Sequence, residues 1–100
     1  MNMKIRHIVV FNLKYPKGSS EAQAFIIHAK SVLGDIPYAD EFMQCLEISP
    51  KNKYDYGFAF DFSSKKNYDK YNNHPDHINF VQQCWNNEVT DFMEIDLEEM

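Results

Sequence analysis

Apolar and polar residues alternate from Lys4 to Leu13. Ile5, His7, Val9, Phe11 and Leu13 fall on one side, and Arg6, Ile8, Val10 and Asn12 on the other. A period of two predicts a β-strand. Both faces carry apolar residues, so both should be covered. Tyr15-Pro16-Lys17-Gly18 then reads as a loop. The period changes at Ser20 to Leu33, where Ala22, Phe25, Ile26, Ala29, Val32 and Leu33 recur at helical spacing. Ser19 or Ser20 can cap this helix, and Gly34 and Ile36-Pro37 close it. Alternation returns over Glu41 to Ser49 and again over Tyr54 to Phe62, with Pro50 to Lys53 as a polar connection of hairpin length. In the third strand Tyr56, Phe58, Phe60 and Phe62 face one way. Asp55, Gly57, Ala59 and Asp61 face the other, and they are small or acidic enough for close approach at Gly57 and Ala59. Ser63 or Ser64 caps a helix carrying Tyr68 and Tyr71, which Asn73-His74-Pro75 interrupts. Helix resumes from about Asp76 to Trp85, and Val89 to Leu97 is a fourth alternating strand.

The order β-α-β-β-α-β is that of an α+β, ferredoxin-like domain: a four-stranded antiparallel sheet with helices on one face. The helices leave the second face with Ile8, Val10, Met43, Cys45 and Phe92. That is more apolar surface than a soluble monomer usually exposes. A second copy packed against it is the economical cover, which predicts a symmetric homodimer.

Length and composition narrow the picture further. One hundred residues without repeat, linker or low-complexity tract make one domain, 1–100. A net charge of −5 with no Lys/Arg run gives no basis for nucleic-acid binding. Met1 to Leu13 has no leader pattern, and no apolar run approaches the ~20 residues of a membrane span. Cys45 and Cys84 lack metal-ligand spacing. They read as buried free thiols in a reducing compartment, which favours the cytoplasm.

The chemistry concentrates in Tyr71-Asn-Asn-His74-Pro75-Asp-His77. Pro75 lacks an N–H and fixes φ, so it ends one helix and fits the first turn of the next. The two asparagines before it suit the backbone angles of a helix end. Tyr71 and His77 can converge only because the helix is broken between them. An imidazole with an ordinary pKa near ~6.5 is suited to general-base work, and a tyrosine can donate to a carbonyl oxygen as charge develops. Asp76 adjoins His77, but its position favours the solvent side, and His28 sits on an exposed helix face. His7, His74 and His77 supply nitrogen, yet no carboxylate or thiolate has ligand spacing, so no metal is expected. No axial-ligand or phosphate-cradle motif calls for a cofactor.

Several stretches resemble the stress-responsive A/B barrel domain (Dabb) family: Arg6-His-Ile-Val-Val-Phe-Asn-Leu13, Phe60-Asp-Phe-Ser-Ser64, and Tyr71-x-x-His74-Pro75-x-His77 with a following tryptophan. The resemblance covers nearly the whole chain. It implies a dimeric α/β barrel with a pocket in each subunit between sheet and helices. One plant member is a polyketide cyclase that uses a histidine and a tyrosine for an aldol condensation. Those two match His77 and Tyr71, and a first-strand histidine matches His7. Phe58, Phe60, Phe25 and Trp85 are the candidate pocket lining.

Two functional readings remain. The first is a small-molecule pocket protein, a lyase or isomerase acting next to a carbonyl with His77 as base and Tyr71 and His7 as polar partners. The alternative is a non-enzymatic stress-related dimer whose histidines hold the helix junction. A cavity of ~300 Å3 or more holding His77 and Tyr71 favours the first, and a filled interior the second.

Overall fold

The computed structural model describes residues 4–100, so the first three residues of the Met1–Leu13 stretch lie outside it. The chain runs β1 (Ile5–Leu13), α1 (Ser20–Leu33), β2 (Glu41–Leu46), β3 (Tyr56–Phe62), α2 (Lys65–Asn72), α3 (Pro75–Phe80), a π-helical stretch Val81–Trp85, a last turn Asn86–Glu88, and β4 (Val89–Glu98). The four strands form one antiparallel sheet in the order β2-β3-β1-β4. This is the expected ferredoxin-like arrangement.

Local chemistry sets the helix ends. The Ser19 hydroxyl accepts from the Ala22 N–H at 3.2 Å, and the Ser64 hydroxyl accepts from the Asn67 N–H at 3.2 Å. Both caps satisfy donors that the first turn leaves free. Pro75 occupies the first turn of α3, and the cap there is His74, whose Nδ1 accepts from the Asp76 N–H at 3.1 Å. Asn73 leaves α2 at φ −91°, so the unusual angles an asparagine permits are not used.

The core lies between the helices and one face of the sheet. Phe11, Phe58, Phe60, Phe62 and Val9 from the strands meet Ala22, Phe25, Ala29 and Leu33 from α1 and Tyr71 and Phe80 from the second helical arm. Aromatic contacts link these layers: Phe11 lies 4.8 Å from Phe58 and 4.9 Å from Trp85 between ring centroids.

Four sequence expectations are corrected. β2 stops at Leu46 and β3 starts at Tyr56; beyond them the Glu47 N–H still donates to the Asp55 carbonyl at 3.0 Å, while the Asp55 N–H donates to Asn12 Oδ1 at 2.8 Å. The helix expected over Asp76–Trp85 loosens into π geometry at Val81. Phe92 is not on the uncovered face. It pairs with Phe11, so it shares the helix side, and the uncovered face takes Met93, Ile95 and Leu97, opposite Val10, Ile8 and Arg6. Cys45 is exposed rather than buried, because it lies on edge strand β2 opposite Gly57, which has no side chain to cover it; Cys84 is half-buried.

The uncovered face therefore presents Met43 (53% exposed), Met93 (46%) and Leu97 (51%) around half-buried Ile8 and Ile95. The Arg6 guanidinium grips Asp61 at 2.8 and 3.1 Å on the same face, and this pairing holds the Asp61 carboxyl below its usual range. No helix among the described residues is long and apolar enough to cross a membrane.

The His74 cap predicts a specific stability pattern. His74→Ala should lose about 1 kcal/mol in denaturant unfolding, the usual worth of an N-cap. His74→Asn, which restores an acceptor, should recover most of it. Equal losses for the two variants would show that the imidazole does something other than cap.

Candidate functional site

Three elements converge beside the core: α2 supplies Tyr71, the start of α3 supplies His77, and β1 supplies His7. Tyr71 is 2% exposed and packs its ring against Phe60 and Phe62, each at 5.3 Å. The His77 ring lies 5.2 Å from it, edge to face. The turn at Asn73–His74 makes this approach possible, since a continuous helix would place residues six apart on different faces.

Tyr71, His77 and His7 line one cavity of about 150 Å3, with Phe58, Phe60, Phe80, Trp85 and Phe92 among its walls. Phe25 is not part of that lining. It sits behind it in the core, 5.8 Å from Phe80 and 6.3 Å from Trp85. The cavity has about half the ~300 Å3 of a typical ligand pocket. A cavity of this size lined by apolar side chains holds a single benzene ring. A larger groove of about 450 Å3 lies between α1 and β2, but its walls include none of the histidines.

The electrostatics differ from group to group. The Tyr71 hydroxyl is buried and has no hydrogen-bond partner among the described residues. Burial also pushes its pKa up, so it stays protonated and able to donate. Burial pulls the His77 pKa down, against the opposing pull of the Asn72 backbone carbonyl. His77 is therefore a neutral imidazole at pH 7, free to accept a proton. Asp76 does not offset this; it lies 3.9 Å from His74 Nδ1 with its side chain largely in solvent.

His7 is held in a cluster that residue spacing does not reveal. Its Nδ1 lies 2.5 Å from Asp96 Oδ1, and the Tyr68 hydroxyl donates to both Asp96 oxygens at 2.9 and 2.8 Å. Burial first, and the Asp96 carboxylate second, push the Tyr68 pKa up to about 12. With Nδ1 engaged by Asp96, Nε2 is the ring nitrogen left free. Asp96 escapes the sequence reading because it lies in β4, whose facing the alternation alone does not fix. The usable signal is register: once Phe92 is set opposite Phe11, the alternation brings Glu94 and Asp96 to the helix side. Among the described residues no three His, Cys, Asp or Glu side chains gather as a metal-ligand set.

A family model described as the Stress Responsive A/B Barrel Domain (Dabb) matches residues 5–99. A Dabb family protein with a ferredoxin-like fold from Mesorhizobium loti is 42% identical, with a TM-score of 0.95 and 98% of each chain covered. A dimeric ferredoxin-like protein of unknown function from Thermobifida fusca is 18% identical, with a TM-score of 0.80 over 99% of this chain and 93% of that one. A hydroxynitrile lyase from Passiflora edulis is 12% identical, with a TM-score of 0.82 over 100% of this chain and 96% of that one. The last two are similar in fold. Among curated proteins none matches the chain in sequence.

A buried hydroxyl without a partner costs on the order of 1–3 kcal/mol. Tyr71→Phe should therefore leave the melting temperature unchanged or raise it, measured at equal protein concentration. A loss above about 1 kcal/mol would mean the hydroxyl is bonded for the sake of the fold.

Proposed function

Because the chain belongs to the stress-responsive A/B barrel domain family, we propose that it is a homodimeric small-molecule enzyme, a lyase or isomerase acting next to a carbonyl. His77 is the general base and Tyr71 the donor to the carbonyl oxygen. The observation that carries this reading is the Tyr71 hydroxyl, buried and unpartnered, on a side chain that lines the same cavity as His77. A fold has no use for such a group, whereas a ligand oxygen would satisfy it.

The chemistry is a proton transfer. Neutral His77 takes a proton from the carbon beside the carbonyl, the electron pair moves onto the oxygen, and Tyr71 stabilises the resulting enolate by hydrogen bonding. Returning the proton at a different carbon isomerises the substrate. Using the enolate's electrons to expel a leaving group makes the step a lyase reaction. His7 is the second polar contact, its ring fixed by Asp96. The Passiflora neighbour indicates that this fold hosts a hydroxynitrile lyase.

Two observations favour the alternative, a non-enzymatic dimer. The cavity of about 150 Å3 is too small for a long substrate, and His74 does hold the junction as a cap. Both fit an enzyme for small substrates equally well, and neither gives the Tyr71 hydroxyl a role.

The sheet supports the dimer. β4 turns its more apolar set, Met93, Ile95 and Leu97, away from the helices. An exposed apolar face of this kind marks an interaction surface, and a second copy can cover it through a self-complementary contact. A double substitution, Met43→Glu with Met93→Glu, should halve the mass found by sedimentation and make Cys45 more reactive toward a thiol reagent. A variant that stays dimeric would place the contact elsewhere.

The catalytic test uses deuterium exchange into the α-carbon of cyclohexanone in D2O, followed by NMR. His77→Ala should slow the protein-catalysed exchange by about a hundredfold or more, the usual contribution of a general base. Tyr71→Phe should slow it by at least about tenfold. The titratable groups around His77 are His7, Tyr71, His74, Asp76 and Glu94. Only deprotonated His77 is active and burial lowers its pKa. The rate should therefore rise with pH through a midpoint below the ordinary ~6.5 and stay level above neutrality. Exchange as fast in His77→Ala as in the wild type would overturn the assignment.

A further inference from the structure

We propose that the cavity admits uncharged carbonyl compounds and rejects anions, and that Glu94 at its mouth imposes this selection. The inference rests on the reading of the cavity as a ligand site and names the class of ligand it takes.

Burial separates floor from mouth. Leu33, Phe58, Phe60, Tyr71 and Phe80 are buried and form the floor. Phe92 is 52% exposed and Glu94 is exposed, so the opening lies along the helix side of β4. Glu94 is there because it pairs across the sheet with Val9, which faces the core.

The charges of the lining are one-sided. Among the described residues no lysine or arginine lines the cavity, and Glu94 is its one carboxylate. Glu94 has no ion-pair partner among them. Lys65, which shares a neighbouring groove with Asp96, is taken by Asp69 at 2.8 Å. Asp96 and Glu98 lie on the same side of β4 as Glu94, opposite His7 and Ile5, and extend the negative field outward. An anion approaching the mouth is repelled, and inside it meets aromatic walls that strip its water, with no lysine or arginine to pair with it. A neutral carbonyl loses little water there and finds the unpartnered Tyr71 hydroxyl.

Trp85 is the single tryptophan of the chain and lines this cavity, so its indole N–H resonance reports binding directly. The probes are benzamide and benzoate, equal in shape and different in charge. In the full-length protein benzamide should bind at least about tenfold more tightly than benzoate, the size expected of one uncompensated nearby charge. Glu94→Gln should narrow that ratio by about threefold or more while benzamide binding holds. Glu94→Lys should narrow it further. Equal binding of the two probes, or a ratio unchanged in Glu94→Lys, would overturn the selection and leave the cavity a ligand site. No movement of the Trp85 resonance with either probe would overturn both the selection and the ligand-site reading.

Discussion

Pro75 cannot continue α2: its ring has no N–H to give and would clash with the turn before it. The chain turns at Asn73–His74 and restarts, with His74 capping the new helix. Everything at the candidate site depends on that turn. It brings the His77 ring to 5.2 Å from Tyr71, against a wall made by Phe60 and Phe62 of β3. His74, Pro75 and His77 thus divide the labour. Proline interrupts, His74 satisfies the backbone donor that the interruption leaves, and His77 gives one ring nitrogen to the Asn72 carbonyl and keeps the other. A histidine in a cap must keep its nitrogen for the backbone. One a turn further on can offer its nitrogen to a ligand.

The second constraint is that helices cover only one face of the sheet. Val10 shows the consequence: it is buried, yet it does not belong to the core formed with the helices. Its neighbours across the sheet are Met93 on one side and Gly57 on the other. β4 responds to the same constraint by splitting its residues in an unusual sense. Its apolar set faces away from the helices, and its polar set, with Phe92, lies on the helix side, where Glu94 lines the cavity. A strand built this way is coherent only if the far face is buried and the near face has work for carboxylates.

This split also marks the limit of what residues alone can reveal. Alternation identifies all four strands, because period two is a local property. Which set of β4 faces the helices is not local. It depends on register with β1, and a one-residue choice moves every side chain to the opposite face. Hence alternation alone puts Phe92 on the wrong face and leaves Glu94 and Asp96 unnoticed. The exposure of Cys45 is non-local for a related reason: it depends on Gly57 across the sheet. The Tyr71–His77 pair is legible because proline's effect is local and strong. The π geometry at Val81–Trp85 is not, since nothing in Val-Gln-Gln-Cys-Trp breaks a helix. That stretch still matters to the site, because a π turn redirects the side chains it carries. It ends at Trp85, which packs between Phe11 and Phe92.

Stability and function pull apart most clearly at Tyr71. Its ring belongs to the core and contributes there as any buried aromatic does, through contact with Phe60 and Phe62. Its hydroxyl contributes nothing to that packing and lacks a partner. Phenylalanine would fill the same space without a polar atom to desolvate, so packing alone does not account for tyrosine at this position. His77 obeys the same logic, with burial disfavouring its charged form. By contrast, the Tyr68 hydroxyl and the His7 Nδ1 are engaged with Asp96, which fixes the His7 ring in place. The polar groups in and beside the cavity thus fall into two sets. One set is fixed by hydrogen bonds within the protein, and the other is held rigidly by packing with its chemistry left open, as a preorganised site requires.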